Sequence, residues 1–175
     1  LEFSGGALTV PGVDALPGES IRLRVRARIG LNAKIDENWS TGVRLTTGSA
    51  TDPLSANQTL GSFNNRYTVL IDRAYVRYRQ GDEFNAVAGR FGNPWFGTDL
   101  VWSNDLSFDG VAAQWTPKLT PQWRGFATVA AMPVQEVELA SADKWLFGGQ
   151  VGATFGNSAQ DIRGKVGLGY FHYEN

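Results

Sequence analysis

The chain has 175 residues, a formal net charge of −1, one histidine and no cysteine. That length suits one domain with a real core, and the missing cysteine excludes disulfides and thiolate metal sites. The near-zero charge gives no bulk reason for a nucleic-acid partner, while 21 glycines and 12% aromatics suit a strand-rich chain.

Nine strands follow from two-residue periodicity. The first, Leu1–Val10, is weakly patterned. The second, Ser20–Lys34, contains Ile21–Ile29, where apolar residues alternate with Arg22, Arg24, Arg26 and Arg28. This puts four like charges on one face and aliphatics on the other. One face needs water or counter-charge and the other an apolar solvent. A soluble sheet or a membrane barrel with a wet lumen would satisfy both.

The remaining strands are Trp39–Thr47, Thr68–Gln80, Phe84–Phe91, Phe108–Thr116, Gln122–Ala131, Lys144–Phe155 and Ile162–Tyr173. Most approach the ~9–11 residues that cross a bilayer at a tilt. In the third, Trp39, Thr41, Val43 and Leu45 oppose Ser40, Gly42, Arg44 and Thr46. In the last, Ile162, Val166, Leu168 and Tyr170 oppose Arg163 and Lys165. Thr68–Gln80 resists: Arg73, Arg77 and Arg79 share a face with Tyr75, which leaves Asp72 among aliphatics. A bulge or a strand-end position would resolve it. No apolar run reaches the roughly 20 residues of a spanning helix, which does not exclude a barrel.

Connections alternate in length. Ile35–Asn38, Gly81–Glu83, Pro117–Pro121 and Gly156–Asp161 are short, whereas Gly48–Tyr67, Gly92–Ser107 and Met132–Asp143 are long. Trp39, Tyr78, Phe84, Trp115, Trp123 and Phe155 cluster by the short turns, where a periplasmic aromatic girdle belongs. Capping of a soluble core is the less favoured alternative for these rings, given the matching loop asymmetry. Eleven of twelve arginines fall in strands, while most acids fall in turns and loops. The chain opens without methionine and shows no signal peptide, as a mature or truncated form would. Nine strands would leave its two ends on opposite sides, although single-chain bacterial barrels have even strand numbers. The expectation is a single segment, 1–175, of a larger antiparallel transmembrane β-barrel, incomplete on its C-terminal side.

The phrases Arg24–Leu31 (RVRARIGL), Asn38–Gly48 (NWSTGVRLTTG), Asn57–Gly61 (NQTLG), Ile71–Tyr78 (IDRAYVRY), Gly89–Pro94 (GRFGNP), Thr98–Trp102 (TDLVW) and Asp105–Ala112 (DLSFDGVA) resemble the putative porin family of Gram-negative outer membranes. The match is densest from Arg22 to Trp115. The resemblance implies a barrel longer than this chain. It supplies no catalytic or binding residues.

Arginine keeps its charge at any working pH. Arg22, Arg24, Arg26, Arg28, Arg44, Arg73, Arg77, Arg79 and Arg90 are therefore candidates for one basic, pore-lining wall. The equal alternative is structural, with Asp72, Asp99, Asp105 and Asp109 as available partners. The loop Gly92–Ser107 carries Trp95, Asp99, Trp102 and Asp105. It either folds inward as a constriction or stands as an exposed loop, and the sequence slightly favours the second. Catalysis has little support: His172 ends the last strand and no nucleophile motif accompanies it. Gly148-Gly149 and Gly167–Gly169 lie within strands and fit bending better than phosphate binding.

The expected protein is a non-enzymatic outer-membrane porin without metal or cofactor. It would pass small hydrophilic solutes, with a preference for anions. Its partners would be outer-membrane lipid and those solutes, with a homo-oligomer left open. The alternatives are a soluble β-sandwich binding carbohydrate through Trp95, Trp102 and the arginines, or a plugged structural barrel.

Overall fold

The computed structural model describes residues 23–61, 63–97, 101–103, 105–136, 143–157 and 162–174. The predicted strand Leu1–Val10, with Arg22 and Asp99, lies outside them. Ten strands are present among the described residues: β1 (Arg24–Val25), β2 (Arg28–Lys34), β3 (Trp39–Thr47), β4 (Gln58–Thr59), β5 (Val69–Gln80), β6 (Phe84–Gly92), β7 (Ser107–Trp115), β8 (Trp123–Gln135), β9 (Lys144–Asn157) and β10 (Ile162–Glu174). Eight form one antiparallel sheet in the order β2-β3-β5-β6-β7-β8-β9-β10. Neighbours in the chain are neighbours in the sheet, as hairpin connection dictates. Among the described residues β2 and β10 are free edges, so the sheet is an open arc and not a closed barrel.

The strand pleat sorts the two faces. Ile29, Leu31, Val43, Val111, Val129 and Leu168 are exposed on the outer face, at 47–77% in the cases of Val43 and Leu168. The inner face can be followed by register through Ser40, Arg77, Val87, Ala112, Ala130, Gly148 and Phe171. This one row passes from polar to apolar. Val87, Phe91, Trp95, Ala112, Ala130, Met132 and Leu146 form the buried cluster, packed by Tyr75, Trp102, Phe108 and Phe171. The core therefore lies on the inner side of β6–β10, while β2–β5 carry the charge.

Two sequence expectations change. Ser20–Lys34 is not one strand, because β1 leaves the sheet to pair with β4. The Thr47 side chain intervenes: Ala27 N donates to Thr47 Oγ1 at 3.0 Å, and Arg26 Nε donates to Asn57 Oδ1 at 3.0 Å. The strand Gln122–Ala131 in fact continues to Gln135 as β8. Pro133, which cannot donate to the ladder, sits where the β8–β9 register shifts between Pro133 and Gln135. The resistant strand is resolved by a bulge. Arg44 pairs with Arg73 and Leu45 with Ile71, so Asp72 is the extra residue and joins Arg73 beside Arg44.

Gly89 and Gly110 face each other across β6 and β7 with φ of 108° and 130°. A Cβ would lie 2.4 Å from Ala74 O at Gly89 and 2.3 Å from Ala131 O at Gly110. Gly110→Ala adds both this clash and a left-handed backbone penalty. It is expected to cost about 1–3 kcal/mol, read as a lower urea midpoint of unfolding from lipid vesicles. An unchanged midpoint would mean that the ladder relaxes around the methyl group.

Candidate functional site

The bulge on β5 delivers Asp72 into the arginines. Asp72 is 8% exposed. It accepts from Arg44 Nε and pairs with the Arg44 guanidinium, while Arg28 Nε lies 3.7 Å away. Ser107 Oγ donates to its other oxygen at 3.2 Å. Asp105, from the loop after β6, meets Arg28 at 2.9 Å and Arg26 at 3.0 Å. Arg90, which borders the same cavity as Arg28, Asp72 and Asp105, pairs with its cross-strand neighbour Asp109 at 2.6 Å. Of the four acids offered as partners, Asp72, Asp105 and Asp109 thus engage the arginines. Arg24 is exposed on β1.

The other basic residues of β5 behave differently. Arg73, Arg77 and Arg79 form no ion pair among the described residues. The Arg73 guanidinium lies over Gly92, where a Cβ would approach it to 2.5 Å. Arg77 stacks on the Tyr75 ring, 4.9 Å from its centroid. Tyr75 crosses Gly42, where a Cβ would come 2.8 Å from its phenol, and donates to Asn32 Oδ1 at 3.1 Å. Nε of both Arg73 and Arg77 is buried without an acceptor. The basic residues therefore divide into an ion-paired group and a group that forms no ion pair among the described residues.

The described residues of the loop after β6, Trp95, Phe96 and Trp102 among them, pack along the inner face, where the sequence slightly favours an exposed loop. Trp95 is 6% exposed. It meets Phe171 edge-on at 5.0 Å and occupies the space above Gly148, where a Cβ would be 2.6 Å from the indole. Gln150 grips the Phe96 backbone from both sides: Phe96 N donates to its Oε1 at 2.8 Å, and its Nε2 donates to Phe96 O at 2.6 Å. Gln114 Nε2 donates to Pro94 O at 2.7 Å. Lys165 Nζ sits 4.4 Å above the Phe96 ring and 4.5 Å above Phe126. Trp102 meets Phe108 at 5.3 Å and Phe171 at 5.4 Å.

The physical reason is room and satisfaction. Gly148 and Gly167 leave space for Trp95 and Phe126, so these glycines make room for rings and not only for bends. Two glutamines on an otherwise small-residue surface satisfy loop backbone groups that would be buried without partners. Sequence reasoning missed Gln114 and Gln150. Their signal was available: a long amide on the inward position of a strand lined by Ala and Gly. Trp95 is buried and Trp102 half-buried in this packing.

On the outer face, Trp39 pairs with Tyr78, Phe84 with Trp115, and Trp123 with Phe155 across the ladder. Ring centroids are 5.0 Å apart for Trp39–Tyr78 and 5.1 Å for Trp123–Phe155, and Tyr78–Phe84 at 6.4 Å links two of the pairs. Six rings on six strands thus form a band beside the short turns. A second aromatic contact, Trp145 stacked on Phe147 at 6.0 Å, lies toward the long-loop end of β9.

An antiparallel meander with a charged, loop-covered inner face and an aromatic-banded apolar outer face has the build of a membrane-channel wall. The chain belongs to the putative porin family, whose sequence profile matches residues 8–175. No curated protein matches it significantly.

Proposed function

We propose that the chain is an arc of an outer-membrane porin that conducts small hydrophilic solutes by passive diffusion and prefers anions. The porin family implies the bacterial outer membrane. The aromatic band then marks the periplasmic interface, and the long loops face outward. In lipid the free edges of β2 and β10 cannot stay unpaired, so further strands complete the wall. The observation that carries the anion preference is the set Arg73, Arg77 and Arg79 on β5, inner-face cations that form no ion pair among the described residues. The ladder at Arg26 and Arg28 contributes less, because Asp105 and Asp72 offset it. Rings of such side chains bias a pore towards anions. The reading is non-enzymatic, and no residue is assigned a chemical step.

Planar bilayers under a potassium chloride gradient test it. The wild-type reversal potential is expected to lie towards the chloride equilibrium potential. Replacing Arg73, Arg77 and Arg79 by Gln is expected to move it to zero or beyond. Replacing Arg26 and Arg28 is expected to move it less. A cation-selective wild-type channel would defeat the proposal.

A further inference from the structure

The inner face holds a second polar cavity, away from the Asp72 cluster and next to the turn between β2 and β3. Its volume is about 520 Å³, and Asn32, Lys34, Ser40, Tyr75, Arg77 and Arg79 line it. Three strands supply these residues, because Ser40 faces Arg77 and Gly42 faces both Tyr75 and Asn32 in register. Lys34, Arg77 and Arg79 are all cations, and none forms an ion pair among the described residues. Two acids of the turn, Asp36 and Glu37, also border the cavity. Asp36 Oδ1 is occupied, accepting from Asn38 N and Trp39 N at 2.7 Å each. Glu37 stands exposed on the turn.

Arg77 is the best-placed group. Its guanidinium is fixed against the Tyr75 ring, and Tyr75 is itself tied to Asn32. Its Nε is a buried donor with no acceptor. A buried, oriented donor on a permanent cation costs free energy until an acceptor arrives. Arginine presents several donors in a planar fork that fits oxyanions, and Arg79 and Lys34 add charge on either side.

We infer that this cavity is a binding site for a soluble, multiply charged oxyanion of the phosphate class. The inference deepens the porin reading, since it names a solute class and a stopping point for it near the turn end.

Calorimetric titration of inorganic pyrophosphate into the protein in dodecyl maltoside micelles tests it without needing conduction. Saturable binding at one site is expected. Arg77→Gln is expected to weaken it at least about tenfold, as loss of one charge-assisted contact would. Lys34→Gln, at an exposed position at the turn end of β2, is expected to weaken it less while leaving the circular dichroism spectrum unchanged. Arg24→Gln, outside the cavity, is expected to leave binding within about twofold.

Absence of saturable binding would overturn the site, and so would equal weakening by Arg24→Gln. Binding of short-chain phosphatidate micelles without binding of pyrophosphate would overturn the soluble class in favour of a lipid headgroup. An anion-selective channel that does not bind pyrophosphate would sink this inference alone. Arg77-dependent binding by a protein that does not conduct would sink the channel reading alone.

Discussion

Asp72→Ala is expected to produce the largest loss of stability of any single charge substitution in this chain. Among the described residues Asp72 is the carboxylate paired with Arg44, and it is shared with Arg28. Side-chain exposures are 9% for Asp72, 22% for Arg44 and 19% for Arg28, so solvent cannot take over its role. Removing one member of a buried ion pair leaves the other charge unpaired, at a cost of about 3–5 kcal/mol. The Ser107 hydroxyl also loses its acceptor. Asp105→Ala should cost less, on the order of 1 kcal/mol, because Asp105 is 21% and its partner Arg26 38% exposed, and its other partner Arg28 keeps Asp72 at 3.7 Å. Urea unfolding from lipid vesicles, followed by tryptophan fluorescence, reads both. Combining Asp72→Leu with Arg44→Met should restore part of the loss, since an apolar pair replaces the Arg44 ion pair, while Ser107 and Arg28 still lose their shared acceptor. Equal midpoints for Asp72→Ala and Asp105→Ala would show that the bulge acid is not the centre of the cluster.

The sheet was legible because its strands, Thr68–Gln80 apart, can be sorted into two faces by a period of two. Trp39–Thr47 alternates without exception, and its register partners obey the same alternation. The aromatic band was legible for a related reason: rings placed two or three residues from short turns must be cross-strand neighbours once hairpins form. The break in the arginine ladder was not legible. Its cause is Thr47, a side chain on another strand that captures Ala27 N. Pairing of the arginines was readable only as a choice between equal alternatives. The decision rests on a one-residue bulge that turns Asp72 inward, and periodicity alone permits a bulge at several positions of β5. The loop was misjudged because its aromatics and acids describe a surface loop equally well. What settles its path is the surface beneath it, where Gln114 comes from the next strand but Gly148, Gln150 and Gly167 come from strands far away in sequence.

That surface makes Trp95→Ala the second large effect. The indole fills the space over Gly148 and abuts Phe171, so its deletion leaves a hole on the inner wall rather than a gap at the rim. Large-to-small changes of this kind cost about 3–5 kcal/mol when the walls cannot collapse. The walls here are strands of one sheet, which hold their spacing. The loss is expected to fall mainly on the loop, because β8, β9 and β10 keep their ladders. Trp95→Ala should therefore expose residues 93–97 to added protease and raise single-channel conductance, while leaving sheet content unchanged. Gln150→Ala removes both bonds to the Phe96 backbone and should loosen the same segment by about 1–3 kcal/mol. Gly148→Val supplies an independent check, since it evicts the indole without deleting it and should give the same protease pattern. A protease-resistant loop in both Trp95→Ala and Gly148→Val would mean that Gln150 and Gln114 alone hold it. The aromatic seat would then be packing without a role in keeping the loop on the wall.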